Sequence, residues 1–280
     1  MSRKILITRP YESAVKFSGQ IAEHYHRNDQ ENEPWDCVIA PLLMAKYDGV
    51  DFGPRSYLCE FPPSLCDKNF ATIISSAQIF KTEFFAKNCD DLRAQPFFCV
   101  GADTANLAAI NGLTPIHASP LIRQASLKLS PLNQEPPNHA PLHHATMNDA
   151  IQSLRTTLPP GTDILYLRGA EVSHNLPALL PDYHVHEIIL YAMIAQPDLE
   201  KSVLDIFPAL NVIAVFSRRS ALILREVLEK YRLSQAIQSM TLLAISTGAA
   251  APLTHYAWRD IRVAHTPNAK GMIEALETYP

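Results

Sequence analysis

The order of elements in residues 71–118 of this chain recurs in residues 212–267, and that repetition restricts the possible folds more than any other feature of the sequence. In the first copy ATII leads to Ser75-Ser76 and a helical pattern, then FFCV leads to Gly101-Ala102-Asp103-Thr104-Ala105, a second helical pattern and TPIHAS. In the second copy VIAVF leads to Ser217 and a helix from Ser220, then TLLAI leads to Ser246-Thr247-Gly248-Ala249-Ala250, a helix and DIRVAHTP. The two turns lie 26 residues apart in one copy (75 to 101) and 29 in the other (217 to 246). Two similar half-molecules are implied.

Short β-rich runs followed by a turn and a helical pattern predict βαβ units and parallel sheets. KILIT before ESAVKFSGQIAEHY and DILYL before a looser segment add further units. The chain therefore reads as α/β. Its 280 residues, 47% of them hydrophobic, suit two domains of roughly 140 residues each, although one large domain is also possible.

A helix that starts directly after a strand leaves its first amides unpaired, and a small hydroxyl can cap some of them. The same amides, with the positive end of the helix dipole, also bind carboxylates or phosphates. Each Ser or Thr of these turns is thus open to both readings. Four such turns fall at the carboxyl ends of parallel sheets, where α/β proteins place ligands, which predicts a cleft between the domains lined by helix N-termini. Arg9 after ILIT and Arg168 after ILYL either fork onto carboxylates or are solvated surface charges.

Charge narrows the partners. With 24 Lys and Arg against 28 Asp and Glu, the chain has no global field for nucleic acid or an anionic membrane, so a polyanionic ligand needs a local site. The apolar ILI at the start is cut by Thr8, Arg9 and Pro10, and no apolar run approaches the ~18 residues of a membrane span. Cys37, Cys59, Cys66, Cys89 and Cys99 form no CxxC pair, which suits reduced thiols in the cytoplasm. The Pro-rich segments 46–69 and 124–146 read as long surface loops, inserted or lying over a site. His139, His143 and His144 fall in the second, beside no cysteine, and read as a solvated loop without metal. The absence of GxGxxG, GxxxxGK[ST] and GxSxG argues against nucleotide-dependent and hydrolase chemistry.

Eight pieces in order, ILITRP (5–10), APLL (40–43), IISSA (73–77), VGADTA (100–105), YLRG (166–169), ILYAMIAQP (189–197), FSRRSA (216–221) and AISTGAA (244–250), resemble uroporphyrinogen-III synthase. The resemblance implies a fold of two parallel-sheet α/β domains joined by a two-stranded linker, with the active site in the inter-domain cleft. The crossing strands are expected near 37–43 and 187–193, with one domain formed by 1–38 plus 195–280 and the other by 39–194. It also implies a cytoplasmic monomer with no metal or organic cofactor, a lyase of haem biosynthesis acting on hydroxymethylbilane, a linear tetrapyrrole with eight carboxylates, with no nucleic-acid or membrane partner.

In that chemistry the terminal hydroxyl leaves, the substituted α-carbon of the last pyrrole attacks to give a spiro pyrrolenine, and fragmentation and recombination close the ring with that pyrrole inverted. Tyr191 matches the family's tyrosine proposed as the weak acid, and its other reading is a ring packed between domains. Thr104 matches the threonine of the VGxxTA turn. Arg9, Ser75, Ser76, Gly101, Arg168, Ser217, Arg219, Ser246 and Thr247 complete the expected substrate contacts. The sequence departs from the family at Ala249, where many relatives carry a hydroxyl, at Arg218-Arg219, where small residues, Pro or Asn are usual, and in the two Pro-rich segments. A non-catalytic two-domain binder of a carboxylated small molecule is the alternative of a different class.

Overall fold

The computed structural model describes residues 3–27, 35–47, 65, 69–116, 144 and 146–277. Along the chain run β1 (Arg3–Ile7), α1 (Tyr11–Arg27), β2 (Trp35–Ile39), β3 (Leu43–Lys46), β4 (Phe70–Ile74), α2 (Glu83–Arg93), β5 (Phe97–Cys99), α3 (Ala102–Ile110) and α4 (Met147–Thr157). There follow β6 (Asp163–Gly169), α5 (Leu176–Leu179), β7 (His184–Ala195), α6 (Lys201–Ile206), β8 (Val212–Val215), α7 (Arg218–Lys230), β9 (Thr241–Ala244), α8 (Thr247–Ala250), β10 (Asp260–Val263) and α9 (Ala269–Glu277).

The chain divides into two compact units, Met1–Ala45 with Ile194–Pro280, and Lys46–Met193. The divisions fall inside β3 and β7. Residues 35–39, where a boundary at 38/39 is expected from the sequence, pair in parallel with β1 along their whole length.

The first unit holds a sheet in the order β10-β9-β8-β1-β2, every pair parallel. Ile5, Leu6 and Ile7 are all buried, as expected of a parallel strand covered on both faces. Helix α1 places Ala14, Phe17 and Ile21 on one stripe against Ile5, Ile7 and Val212, while Met272, Ile273 and Leu276 of α9 close the same core.

The second unit holds most of a sheet in the order β3-β7-β6-β4-β5, in which β4–β5, β4–β6 and β6–β7 are parallel. Its core joins Ala71, Ile73 and Ile164 of the strands to Ala150, Ile151 and Leu154 of α4. Thr146 and Asp149 form a reciprocal capping box at the start of α4, which fixes where that helix begins.

The two sheets share one spatial order, but not in the register that the sequence repeat suggests. In the first, β1 has β2 on one side and β8, β9, β10 on the other; in the second, β4 has β5 on one side and β6, β7, β3 on the other. The spatial counterpart of β4 is therefore β1, although the repeated turns align it with β8. The fifth place in the second sheet is filled by β3, which precedes β4 in the chain. Turn chemistry repeats because every strand-to-helix junction has the same capping problem, so it does not report strand order.

One loop reading changes. His144 is not solvated: its backbone bridges to Val100, its N–H donates to Cys99 O at 3.1 Å, and its ring stacks on Phe98. It gives the edge of β5 hydrogen-bond partners and covers an apolar ring. His139 and His143, most of 46–69 and 124–146, and the expected strand beyond Ile116 lie outside the described residues. Cys37, Cys89 and Cys99 are free thiols, that of Cys99 pushed up to about 12 by burial, while Cys59 and Cys66 lie outside the described residues. No helix among the described residues is long and apolar enough to cross a membrane.

Candidate functional site

In the second unit the winding reverses between β4 and β6, and the carboxyl ends of those strands open onto a cavity of about 360 Å³. Ser75 and Ser76 enter it from the exit of β4, Tyr166 and Gly169 from β6, Glu171–His174 from the turn after β6, and Tyr191 from β7.

Ser76 is extended, and its side chain accepts from the Gln78 N–H to open the short 3-10 turn Ala77–Lys81. It also hydrogen-bonds the Tyr191 hydroxyl. Ser75 Oγ lies 3.4 Å from the Tyr166 hydroxyl, so adjacent serines engage two different phenols. Tyr47 tilts toward Tyr191 with ring centroids 6.4 Å apart, and its hydroxyl donates to Gln78 Oε1.

The position of Tyr191 comes from a β-bulge. Arg168 pairs with Ile189, but the next residue, Gly169, pairs with Tyr191 rather than Leu190, and the Ala170 N–H donates to Tyr191 O at 2.8 Å. Bulges re-aim side chains beside sites in this way. Burial raises the Tyr191 phenol above its ordinary value, Tyr166 adds to the rise, and the Ser76 hydrogen bond opposes it. Burial likewise raises Tyr166, against the Ser75 hydrogen bond and the Arg168 charge. Desolvation disfavours the phenolate, so both phenols stay protonated above the ordinary phenol range.

The other sequence-predicted residues fall into two groups. Arg168 does not line the cavity: it is 9% exposed, its Nε lies 2.8 Å from Glu187 Oε1, and its Nη1 donates to Gly169 O and Ala170 O. A guanidinium this buried needs a counter-charge inside the fold, so Arg168 is not the solvated surface charge that was one of its two sequence readings. Gly101 precedes α3 with φ +87° and its N–H donates to His144 O; Thr104 is buried in the first turn of that helix. Neither lines the cavity.

In the first unit, Ser217 caps α7 by accepting from the Ser220 N–H at 3.0 Å, and Ser246 caps α8 by accepting from the Ala249 N–H at 3.2 Å. The Arg9 guanidinium sits over the Phe216 ring at 4.6 Å, where β1 and β8 end side by side, and Arg219 is half-buried in the first turn of α7. Thr247 is exposed at the start of α8. Ala249 is buried in the first turn of α8. Sequence reasoning missed Tyr166 and Glu187. The signal available was the YLRG motif itself, whose tyrosine and arginine lie on one face of β6 by the two-residue period of a strand. Among the described residues, no cluster of three or more His, Cys, Asp or Glu could hold a metal ion.

A family model described as uroporphyrinogen-III synthase HemD matches residues 51–274. The chain belongs to the uroporphyrinogen-III synthase family. Its role lies in haem biosynthesis. The solved uroporphyrinogen-III synthetase of Helicobacter pylori 26695 is similar over 99% of this chain and 100% of its own, at 13% identity with a TM-score of 0.54, and shares the α/β fold. A mutant uroporphyrinogen-III synthase from the extremely thermophilic bacterium Thermus thermophilus is similar over 99% of this chain and 98% of its own, at 14% identity with a TM-score of 0.43. No curated protein sequence matches this one. The pieces that resemble the synthase, IISSA, VGADTA, YLRG and ILYAMIAQP, are the strand exits that surround the second-unit cavity, each giving at least one residue to its wall.

Proposed function

We propose that this family member is a lyase that cyclises hydroxymethylbilane to uroporphyrinogen III, inverting the last pyrrole ring through a spiro intermediate. The observation that carries the reading is the placement of the Tyr191 phenol, which lies against Gly169 in the wall of a cavity at the strand exits.

In this scheme Tyr191 donates its proton as the terminal hydroxyl of the bilane leaves as water, giving an azafulvene. The substituted α-carbon of the last pyrrole attacks that carbon and forms the spiro pyrrolenine. Fragmentation and recombination at the free α-carbon close the ring, and the proton lost as the pyrrole regains aromaticity restores Tyr191. The sum is loss of one water. Because the bilane also closes unaided without inversion, the remaining contribution is to hold a curled conformer and exclude the direct route.

The eight carboxylates need donors. The capped turns at Ser75-Ser76, Ser217 and Ser246-Thr247, together with Arg9 and Arg219, supply hydroxyls, amides and charge of the right sign. The reading includes a cytoplasmic monomer that needs no metal or organic cofactor.

The test is to mix the protein with freshly made hydroxymethylbilane and separate the oxidised products by isomer. Uroporphyrin III formed faster than the spontaneous closure is the expected result. Isomer I alone, at the uncatalysed rate, overturns the reading, and binding of the bilane without isomer III would make the protein a binder instead.

A further inference from the structure

Arg168 and Glu187 form an ion pair within the second unit, their side chains only 10% and 11% exposed. Arg168 Nη1 donates to Gly169 O at 2.9 Å and to Ala170 O at 3.1 Å, which are the two residues where β6 leaves the sheet.

Those same two residues hold Tyr191. The ring of Tyr191 lies against the Cα of Gly169, and the Ala170 N–H donates to the Tyr191 carbonyl. Arg168 thus grips the turn that Tyr191 touches, at the point where the register of β6 and β7 shifts. Glu187, four residues before Tyr191 on β7, fixes the guanidinium that does the gripping. We propose that Arg168 and Glu187 are positioning residues for Tyr191: their ion pair locks the β6 exit against the bulge in β7 and so sets where the phenol points, without either side chain touching substrate. This inference rests on the proposed role of Tyr191 for its effect on turnover, but its geometric part does not.

The test therefore has one readout in activity and one outside it. Arg168→Lys keeps the charge but loses the fork to two carbonyls, and Glu187→Gln keeps the shape but loses the counter-charge. Each is compared with Tyr191→Phe, and the ionisation of Tyr191 is read as the alkaline ultraviolet difference between each protein and the same protein carrying Tyr191→Phe. That subtraction removes Tyr166, on which Arg168 and Glu187 act directly through charge.

The expected result is a fall in kcat of about 10²-fold with KM little changed, as for a reacting group misplaced by about 1 Å. The titration of Tyr191 moves down toward the ordinary phenol value as the ring loses its buried seat. In a Tyr191→Phe background Glu187→Gln costs no further turnover. A rise in KM at unchanged kcat for Arg168→Lys would instead make Arg168 a substrate contact and overturn the inference, as would an unmoved Tyr191 titration in either folded variant. Should Arg168→Lys fail to fold, Glu187→Gln carries the same readouts. A moved titration with wild-type turnover leaves the positioning intact and removes Tyr191 from the chemistry.

Discussion

Tyr191 lies on the bare Cα of Gly169: a methyl group at 169 would stand 2.7 Å from Tyr191 Cζ and 2.9 Å from its hydroxyl oxygen. Real side chains do not approach this closely, so the ring must move if residue 169 gains a Cβ. The YLRG glycine is required by a neighbour's ring rather than by its own backbone, since its φ lies outside the left-handed region. Gly169→Ala is expected to fold, because the clashing atoms are the far end of one side chain, and to lower kcat by about 10²-fold through misplacement of the phenol. Circular dichroism together with initial rates of isomer III formation checks both halves.

Burial sets the pH behaviour of that phenol. The folded value of Tyr191 is raised, so the protonated form persists above the ordinary phenol range. If Tyr191 is the acid, kcat stays flat through neutrality and falls only at an alkaline pH above that range. Tyr191→Phe should lower kcat by about 10²-fold or more and abolish the alkaline limb while leaving the fold intact. The sign for stability is the same: the contribution of a group with a raised folded value is complete below its unfolded value and is lost as pH rises through the folded one. A limb unchanged in Tyr191→Phe would assign it to another group.

Ser217 offers a test that separates capping from binding. Its hydroxyl accepts from the first turn of a thirteen-residue helix, and Ser217→Ala should cost about 1 kcal/mol in denaturant unfolding. A role in holding a carboxylate adds a rise in KM that capping alone does not produce. Unfolding midpoints and KM measured on one preparation distinguish the two.

Two glycines of the first unit should respond in opposite directions. Gly19 lies on the exposed side of α1, and a methyl added there would meet nothing within 4 Å, so Gly19→Ala should stabilise by about 0.5–1 kcal/mol. Gly271, in the first turn of α9, would carry its methyl 2.3 Å from the Thr266 carbonyl oxygen, and backbone cannot yield as a side-chain tip does. Gly271→Ala should destabilise by about 1–3 kcal/mol or more. Thermal unfolding of the two variants reads both signs.

Much of the local structure was legible in the sequence. The short apolar runs KILI, ATII, VIAV and TLLA became strands, the amphipathic stretch RRSALILREVLEK became α7, and Ser76, Ser217 and Ser246 became the caps that their place after a strand suggests. These features depend on neighbours within a few residues, and propensity, periodicity and capping are local forces. The family likewise could be read, because its motifs are strand exits whose residues are adjacent in the chain.

Tertiary structure decided what depends on distant partners. The sequence offered Arg168 as a ligand for carboxylates or as a solvated charge, and only the neighbouring strand shows Glu187 paired with it inside the fold. It repeated its turns in a register that aligns β4 with β8, whereas hydrogen bonding between strands makes β1 the counterpart of β4. His144 looked like part of a solvated loop until the edge of β5 and the ring of Phe98 were placed beside it. Above all, residue types showed a glycine at 169 and a tyrosine at 191, but only a one-residue bulge between two strands sets the ring of one on the backbone of the other. Pairing register is a property of two strands together, and a single strand's sequence does not carry it.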